Sequence, residues 1–247
     1  KHVDRCELNP YEAVTVNTIG AYNICKASMQ ESVSKVINIS TDKAVNPVGV
    51  LGATKLLSEK LISAESFHNK TKTIFSSVRF GNVLQTRGSI LPRIENQIKK
   101  GGPITLTDKK MKRFFMTKNQ SVDLILKAAE YAKGGEIFVL KMPLILLSDL
   151  FDVMKELIAP KYRLNSSKIK TKIIGIRPGE KITEYLLTDF ELEYVLETND
   201  FLIIPSMFDS STKKYKNAKK PKNIKNYFES LKPISKSEIK NMLQDVY

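Results

Sequence analysis

Three consecutive stretches limit what this chain can fold into. Lys35 to Ser40 is a β-branched, largely apolar run, Leu51 to about Phe67 has helical spacing, and Thr73 to Phe80 is again β-branched and apolar. Strand, helix and strand at that spacing form a right-handed parallel crossover. The first strand reads as short and buried. It leads into Ser40-Thr41-Asp42-Lys43-Ala44-Val45-Asn46-Pro47, and Pro47 and Gly49 then release the chain into the helix. Polar side chains at the end of a buried strand are where open α/β sheets place their chemistry.

Upstream, from Pro10 to about Glu31, Ala13, Val14, Val16, Ile19, Ala21, Ile24, Cys25 and Ala27 recur at helical spacing. This predicts one long helix whose apolar stripe is mostly core, with Asn17, Gly20 and Asn23 three apart at a close contact. After Gly81-Asn82-Val83 and Thr86-Arg87-Gly88-Ser89 comes a helix with Ile90, Ile94 and Ile98, ended by Gly101-Gly102-Pro103. Ile104 to Thr107 and Arg113 to Thr117 read as two strands around a lysine-rich turn. A helix from about Gln120 to Ala132, a strand from Glu136 to Leu140 and a helix capped by Ser148 follow. Lys172 to Ile176 and Phe201 to Ile204 are further strands, with the turn Arg177-Pro178-Gly179-Glu180-Lys181 between them. Beyond about Met207 a lysine-rich, mobile linker precedes a helix from Ser235, where Ser235 and Glu238 have capping-box spacing.

With 247 residues, 42% of them hydrophobic, the chain can bury one sizeable core, as one domain plus a smaller lobe. The net charge of +14 allows nucleic acid, a membrane surface or an anionic substrate as a partner. The lysines are spread along the chain and densest at Lys213, Lys214, Lys216, Lys219, Lys220, Lys222 and Lys225, with little aromatic interleaving. A solvated lysine-rich surface explains this better than a nucleic-acid site, with weak membrane-surface or partner docking as the alternative. Cys6 and Cys25 read as buried thiols in a reducing cytoplasm, and His2 and His68 as structural, so no metal site is expected. No apolar run approaches the roughly 20 residues that span a bilayer, so no integral membrane segment is expected. None of the 11 glycines forms a GxGxxG fingerprint, and the sequence opens on Lys1-His2-Val3-Asp4.

NTIGAYN, STDKAVNP, GATK, RFGNV, RGSILP, PITLTD, KRFFMT and IRPGEK, in this order, together resemble the nucleotide-sugar 4,6-dehydratases of the extended short-chain dehydrogenase/reductase family. The resemblance is strongest to the UDP-N-acetylglucosamine branch of polysaccharide and glycan biosynthesis. It runs from residue 1 to about 207 and leaves out the family's first strands and glycine-rich loop. It implies an α/β fold, a partial Rossmann-type doubly wound parallel sheet with a smaller C-terminal substrate lobe. Residues 1–83 and 118–143 would form the NAD-binding part, 84–117 and 144–207 the sugar lobe, and 208–247 the linker and terminal helix. An N-terminal half would be missing, and the chain alone should bind NAD poorly.

The family reaction, as the resemblance implies it, takes hydride from C4 of the sugar to NAD, removes the C5 proton, expels the C6 hydroxyl as water and returns the hydride to C6. Asp42 would be the acid at O6, Lys43 the base at C5, with its pKa lowered from the usual value of about 10.4. Without that motif set, adjacent Asp and Lys at a strand end would read as an ion pair. Leu51 stands where most of the family has Tyr, four residues before Lys55; either Thr41 or Asp42 takes over the C4 hydroxyl proton or oxidation chemistry is lost. Lys55 would hold the nicotinamide ribose. Ser40, Phe80, Gly81 and Val83 would line the cofactor. Lys43, Asn82, Arg87, Ser89, Arg113, Arg177 and Glu180 would meet the UDP-sugar, although surface salt bridges would also account for the last three. The helices from Pro10 and Leu51 would form a homodimer interface. An epimerase would keep the NAD and UDP contacts but needs no acid at C6, and a catalytically silent sugar-binding module would tolerate Leu51.

Overall fold

A computed structural model describes residues 2–68, 72–86, 88–208, 215, 217–222, 231–244 and 247. The first elements are α1 (Val3–Leu8), α2 (Pro10–Val14), α3 (Gly20–Gln30), β1 (Lys35–Thr41), α4 (Val50–His68) and β2 (Ile74–Phe80). Then come β3 (Asn82–Val83), α5 (Ile90–Lys99), β4 (Ile104–Leu106), β5 (Lys112–Met116), α6 (Lys118–Tyr131), β6 (Ile137–Leu140), β7 (Leu144–Leu146) and α7 (Leu147–Ile158). The last are β8 (Thr171–Ile173), α8 (Asp189–Leu192), β9 (Leu196–Glu197), β10 (Phe201–Ile204) and α9 (Lys236–Gln244). Two compact units result. One holds the described residues of Lys1–Phe80, Asn119–Lys141 and Tyr185–Ser230, the other those of Gly81–Lys118, Met142–Glu184 and Leu231–Tyr247.

The first unit is built on a five-stranded sheet in the order β1-β2-β6-β10-β9. β1, β2 and β6 run parallel, with α4 as the crossover, as the strand-helix-strand pattern requires; β10 and β9 add on antiparallel. Phe201–Ile204 is buried throughout and pairs with β6, so the run expected in the sugar lobe belongs to this sheet. β2 is buried over five of its seven residues. β1, expected to be buried, is half-exposed apart from Ser40, because it is the edge strand and only one of its sides is paired.

The long helix expected from Pro10 is interrupted by a π turn at Thr15–Ile19. A π turn adds a residue to the repeat, and the inward residues accordingly run Ala13, Thr18, Cys25, Ser28. That register leaves Val14, Val16, Ile19 and Ile24 exposed, so much of the apolar stripe lies outside the core.

In the second unit β3, β5 and β7 form one small sheet, and β4 pairs in parallel with β8. β4 and β5 therefore find different partners instead of pairing around the lysine-rich turn. Leu91, Ile94 and Ile98 of α5, Leu150, Phe151 and Met154 of α7, and Ile239 and Leu243 of α9 share one core. Ser148 lies inside the first turn of α7, whose cap is Leu146. The capping box at α9 forms: Glu238 N–H donates to Ser235 Oγ at 3.3 Å and Ser235 N–H to Glu238 Oε2 at 2.9 Å. Among the described residues no helix is long and apolar enough to cross a membrane. Lys213, Lys214, Lys216 and Lys225 of the lysine run, and Arg87, lie outside the described residues.

Candidate functional site

β1 delivers Ser40 and Thr41 to its end, where a single 3-10 turn at Asp42–Ala44 reverses the chain. Thr41 is fully extended, and its hydroxyl donates to Asp42 Oδ1 at 2.9 Å while accepting from Lys43 N–H at 3.4 Å. Lys43 Nζ also reaches Asp42 Oδ1, at 3.0 Å. The ion pair is thus real. It occupies only one carboxylate oxygen: Asp42 is 0% exposed, and its Oδ2 has no hydrogen-bond partner among the described residues. Ser40 Oγ, two residues earlier, is in the same condition. A buried acceptor without a donor costs about 1–3 kcal/mol, a cost that a donor from a bound molecule would remove. Phe80 stands in register with Thr41, and Arg79 with Ser40.

Asn46, at φ 44°, turns the chain from this corner toward α4. Leu51 is buried with Cys6 and Ala13, so its side chain is part of an apolar cluster. Gly52 lies against the turn: a Cβ there would be 2.2 Å from the Lys43 carbonyl oxygen and 2.9 Å from Pro47 Cβ. Thr54 anchors the helix to the π turn, accepting from Asn17 Nδ2 at 3.0 Å, while its carbonyl accepts from Thr18 Oγ1 at 3.2 Å. Lys55 Nζ donates to the carbonyl of Ile39 at 2.8 Å, which places its ammonium beside the end of β1. Burial pulls its pKa below the usual lysine range, and the Glu59 carboxylate one turn later opposes that.

The sequence reading missed the group beneath. Arg79, 1% exposed, donates from Nε and Nη2 to both oxygens of Glu59 at 2.9 and 2.8 Å. Its Nη1 and Nη2 also donate to Glu191 at 2.8 and 2.7 Å, and Nη1 to the Leu186 carbonyl at 3.1 Å. Burial alone would lower the guanidinium's pKa, but the two carboxylates raise it. The available signal was a charged residue on an otherwise buried strand together with Glu59 on the inner face of α4.

The remaining candidates lie in the second unit. Gly81 is packed so closely that a Cβ would be 2.8 Å from Met142 Sδ and from the Phe114 carbonyl oxygen. Asn82 Nδ2 donates to that carbonyl at 3.0 Å, and Asn82 and Val83 pair with Phe115 and Met116. Ser89 caps α5 without a side-chain cap bond, and its buried Oγ has no partner among the described residues. Arg113, 7% exposed, donates to the carbonyls of Lys112, Lys181 and Ile182 at 2.7–3.1 Å. The structure thereby joins β5 to the IRPGEK segment through carbonyls, leaving the guanidinium charge unneutralised by these bonds. Arg177 to Glu180 is a tight turn closed by Glu180 N–H on the Arg177 carbonyl at 3.1 Å, with Gly179 at φ 77°. Glu180 Oε2 accepts from Arg177 N–H at 3.3 Å.

Cys6 and Cys25 are free and buried, and burial pushes the Cys25 thiol up to about 11. Among the described residues no group of three or more His, Cys, Asp or Glu side chains could hold a metal ion.

Parallel strands β1, β2 and β6 with the α4 crossover between the first two, and polar side chains at a strand end, make a Rossmann-type arrangement. The family model described as polysaccharide biosynthesis protein matches residues 1–206. The chain belongs to that family, among the nucleotide-sugar dehydratases and epimerases of the extended short-chain dehydrogenase/reductase type. It is 51% identical over its whole length to an uncharacterized membrane protein of Methanocaldococcus jannaschii, of which it spans 72%. It is 45% identical to the capsular polysaccharide biosynthesis protein CapD of Staphylococcus aureus over 78% of this chain and 31% of that protein. A UDP-glucose 4-epimerase of Rickettsia canadensis is 38% identical over 83% of this chain and 58% of the epimerase. The X-ray structure of Pen from Bacillus thuringiensis superposes with a TM-score of 0.88 at 43% identity, covering 99% of this chain and 72% of that one. A dTDP-glucose 4,6-dehydratase of Streptomyces venezuelae, solved with NAD bound, shares the fold at a TM-score of 0.65 and 16% identity, over 75% of this chain and 61% of that one.

Proposed function

We propose that this chain carries the reaction and nucleotide-sugar residues of an NAD-dependent 4,6-dehydratase of the UDP-N-acetylglucosamine type, acting in polysaccharide biosynthesis. The observation that carries the reading is Asp42: a fully buried carboxylate with one oxygen held by Thr41 and Lys43 and the other without a partner. An epimerase needs proton transfer at C4 only. A dehydratase also needs an acid at O6 and a base at C5, and Asp42 and Lys43 leave one strand end side by side to serve neighbouring carbons.

The donor set fits NAD at its nicotinamide-ribose end, with the Lys55 ammonium and the unpartnered Ser40 hydroxyl beside the same strand end. When bound, NAD supplies the acceptor for the C4 hydride and its donor for C6. Lys55 would hold the ribose hydroxyls, and Phe80, Gly81 and Val83 would line the ring. With Leu51 in an apolar cluster, the proton of the C4 hydroxyl passes to Thr41 and Asp42. Asn82, Ser89, Arg87, Arg113, Arg177 and Glu180 would bind the UDP-sugar; the open N-terminus of α5 and the carbonyl-held Arg113 suit a diphosphate. A homodimer through the helices from Pro10 and Val50, and a cytoplasmic location, belong to the same reading.

The names of the rickettsial relatives favour a second reading, a UDP-sugar 4-epimerase. Incubating the NAD-loaded protein with UDP-N-acetylglucosamine in D₂O separates the two by NMR. A 4-keto-6-deoxy product with deuterium at C5 is expected. A C4-epimerised sugar without C5 exchange would establish the epimerase, and an unchanged sugar would leave a binding module.

A further inference from the structure

The turn from Arg177 to Glu180 is carried between two anchors. Upstream, the last tie is Ile174 N–H on the Leu106 carbonyl at 2.9 Å, where the chain leaves β8. Downstream, Lys112 N–H donates to the Ile182 carbonyl at 2.8 Å, and Arg113 donates from Nη1 to that same carbonyl at 3.1 Å and from Nη2 to the Lys181 carbonyl at 2.7 Å. Among the described residues no backbone hydrogen bond ties residues 175–180 to another element; the turn closes only on itself, through Arg177 and Glu180. Gly175 and Gly179, at φ 84° and 77°, put one permissive joint before the turn and another within it. The direction of the turn therefore has to come from its anchors, and the nearest is the Arg113 bond to Lys181, one residue after Glu180.

Arg113 is spent on this task. It is 7% exposed, and its printed partners are three carbonyls, with no carboxylate among the described residues. Arg177 and Glu180 are half-buried, and neither enters an ion pair among the described residues, whereas the neighbouring Lys181 pairs with Glu184. The two side chains of the turn are thus left for a ligand.

We propose that Arg113 is a positioning residue: beyond the charge it offers a diphosphate, its bonds to the carbonyls of Lys181 and Ile182 set the direction in which the turn presents Arg177 and Glu180. The proposal rests on the reading of those two as nucleotide-sugar contacts. Arg113→Lys separates the two roles, because the ammonium keeps the charge and loses the planar fork that spans successive carbonyls.

The test is calorimetric titration of the 247-residue chain with UDP. Arg113→Lys is expected to weaken binding about tenfold, on the scale of one hydrogen bond from a charged group. Glu180→Gln keeps an oxygen for the Arg177 N–H and should weaken binding on its own. In the double variant the loss from Arg113→Lys should shrink to about threefold or less, because both act through one turn. Unchanged affinity in Arg113→Lys, or losses that simply multiply in the double variant, overturns the proposal; a bracket that served stability alone would lower the melting temperature and show no such coupling. Should Arg113→Lys fail to fold, Arg113→Gln, whose amide still donates to one carbonyl, takes its place in the cycle and the same comparison decides. The underlying reading fails separately, if the wild-type chain does not bind UDP. Amide exchange then decides on Arg113: its replacement by lysine should speed exchange of the Arg177 and Glu180 N–H groups about tenfold, and unaltered exchange there overturns the proposal as well.

Discussion

Gly52 stands directly beneath the carbonyl of Lys43, with 2.2 Å between that oxygen and the position a Cβ would take. The first turn of α4 therefore supports the Asp42–Ala44 corner by backbone contact, and only hydrogen fits between them. Gly52→Ala must push the Asp42–Ala44 turn away from the helix. Overpacking of this kind costs about 1–3 kcal/mol, so a lower melting temperature is expected together with impaired turnover. Retention of both would show that the corner shifts freely.

Much of this corner was legible in sequence, because it depends on local order: a β-branched run, polar residues at its end, a proline and a glycine before a helix. The crossover from β1 through α4 to β2 followed for the same reason. What was hidden depends on contacts distant in sequence. Glu191 reaches Arg79 across 112 residues, and neither neighbourhood announces the other. The edge position of β1 is equally non-local, since Val36 and Ile37 look the same in a central strand. The π turn at Thr15–Ile19 shifts a helical register that apolar spacing alone describes as continuous. Phe201–Ile204 could be recognised as a strand, but its place next to β6 could not.

Under the dehydratase proposal, Asp42→Asn and Lys43→Met should separate chemistry from binding. The asparagine retains an acceptor for Thr41 and cannot protonate a departing hydroxyl; the methionine fills the lysine's volume and cannot take a proton. Each should lower 4-keto product formation by about 10²- to 10⁴-fold, the usual contribution of a general acid or base. UDP affinity by calorimetry should stay within a few-fold of wild type. Loss of binding in step with activity would make the pair structural.

The Arg79 cluster sets an acid limit on the fold. Burial would raise the Glu191 pKa, but hydrogen bonds and charge from Arg79, with help from Thr188, hold it below the ordinary carboxylate value. A depressed carboxylate stabilises the native state above its unfolded pKa, about 4.3, and that contribution is lost as pH falls through the folded value. Melting temperature should therefore drop as pH is lowered through and below this value. Glu191→Gln, which has no proton to gain there, should be less stable at pH 7 and show a shallower drop. Arg79→Met, leaving two buried carboxylates unpaired, should cost about 3–5 kcal/mol, measurable by urea denaturation.

Leu8 on α1, Tyr11 on α2, Ile19 in the π turn and Ile24 on α3 are exposed apolar side chains. Under the homodimer proposal they form the contact. Tyr11→Glu combined with Ile24→Glu should then shift sedimentation from dimer to monomer without lowering the melting temperature in proportion. A wild-type monomer at tens of micromolar would remove the proposal.

Tyr215 hydrogen-bonds a carboxylate that has no cationic hydrogen-bond partner among the described residues. Glu136, 0% exposed, accepts from the Tyr215 hydroxyl at 2.8 Å, from Ser76 Oγ at 2.6 Å, and from the backbone N–H groups of Lys133 and Gly134 at 2.6 and 2.8 Å. Burial first, and the Glu136 charge second, push the phenol above its usual pKa, so it remains a donor across the working range. Because neutral dipoles supply these four bonds, each matters to the ionised group they surround. Tyr215→Phe should lower the unfolding free energy by about 1.5–3 kcal/mol, the usual value of a hydrogen bond to a charge. The same variant should be cut faster by trypsin after Lys219, whose backbone pairs with Glu197 in an antiparallel bridge. Unaltered stability and cleavage would mean that the ring's packing, and not its hydroxyl, holds the segment.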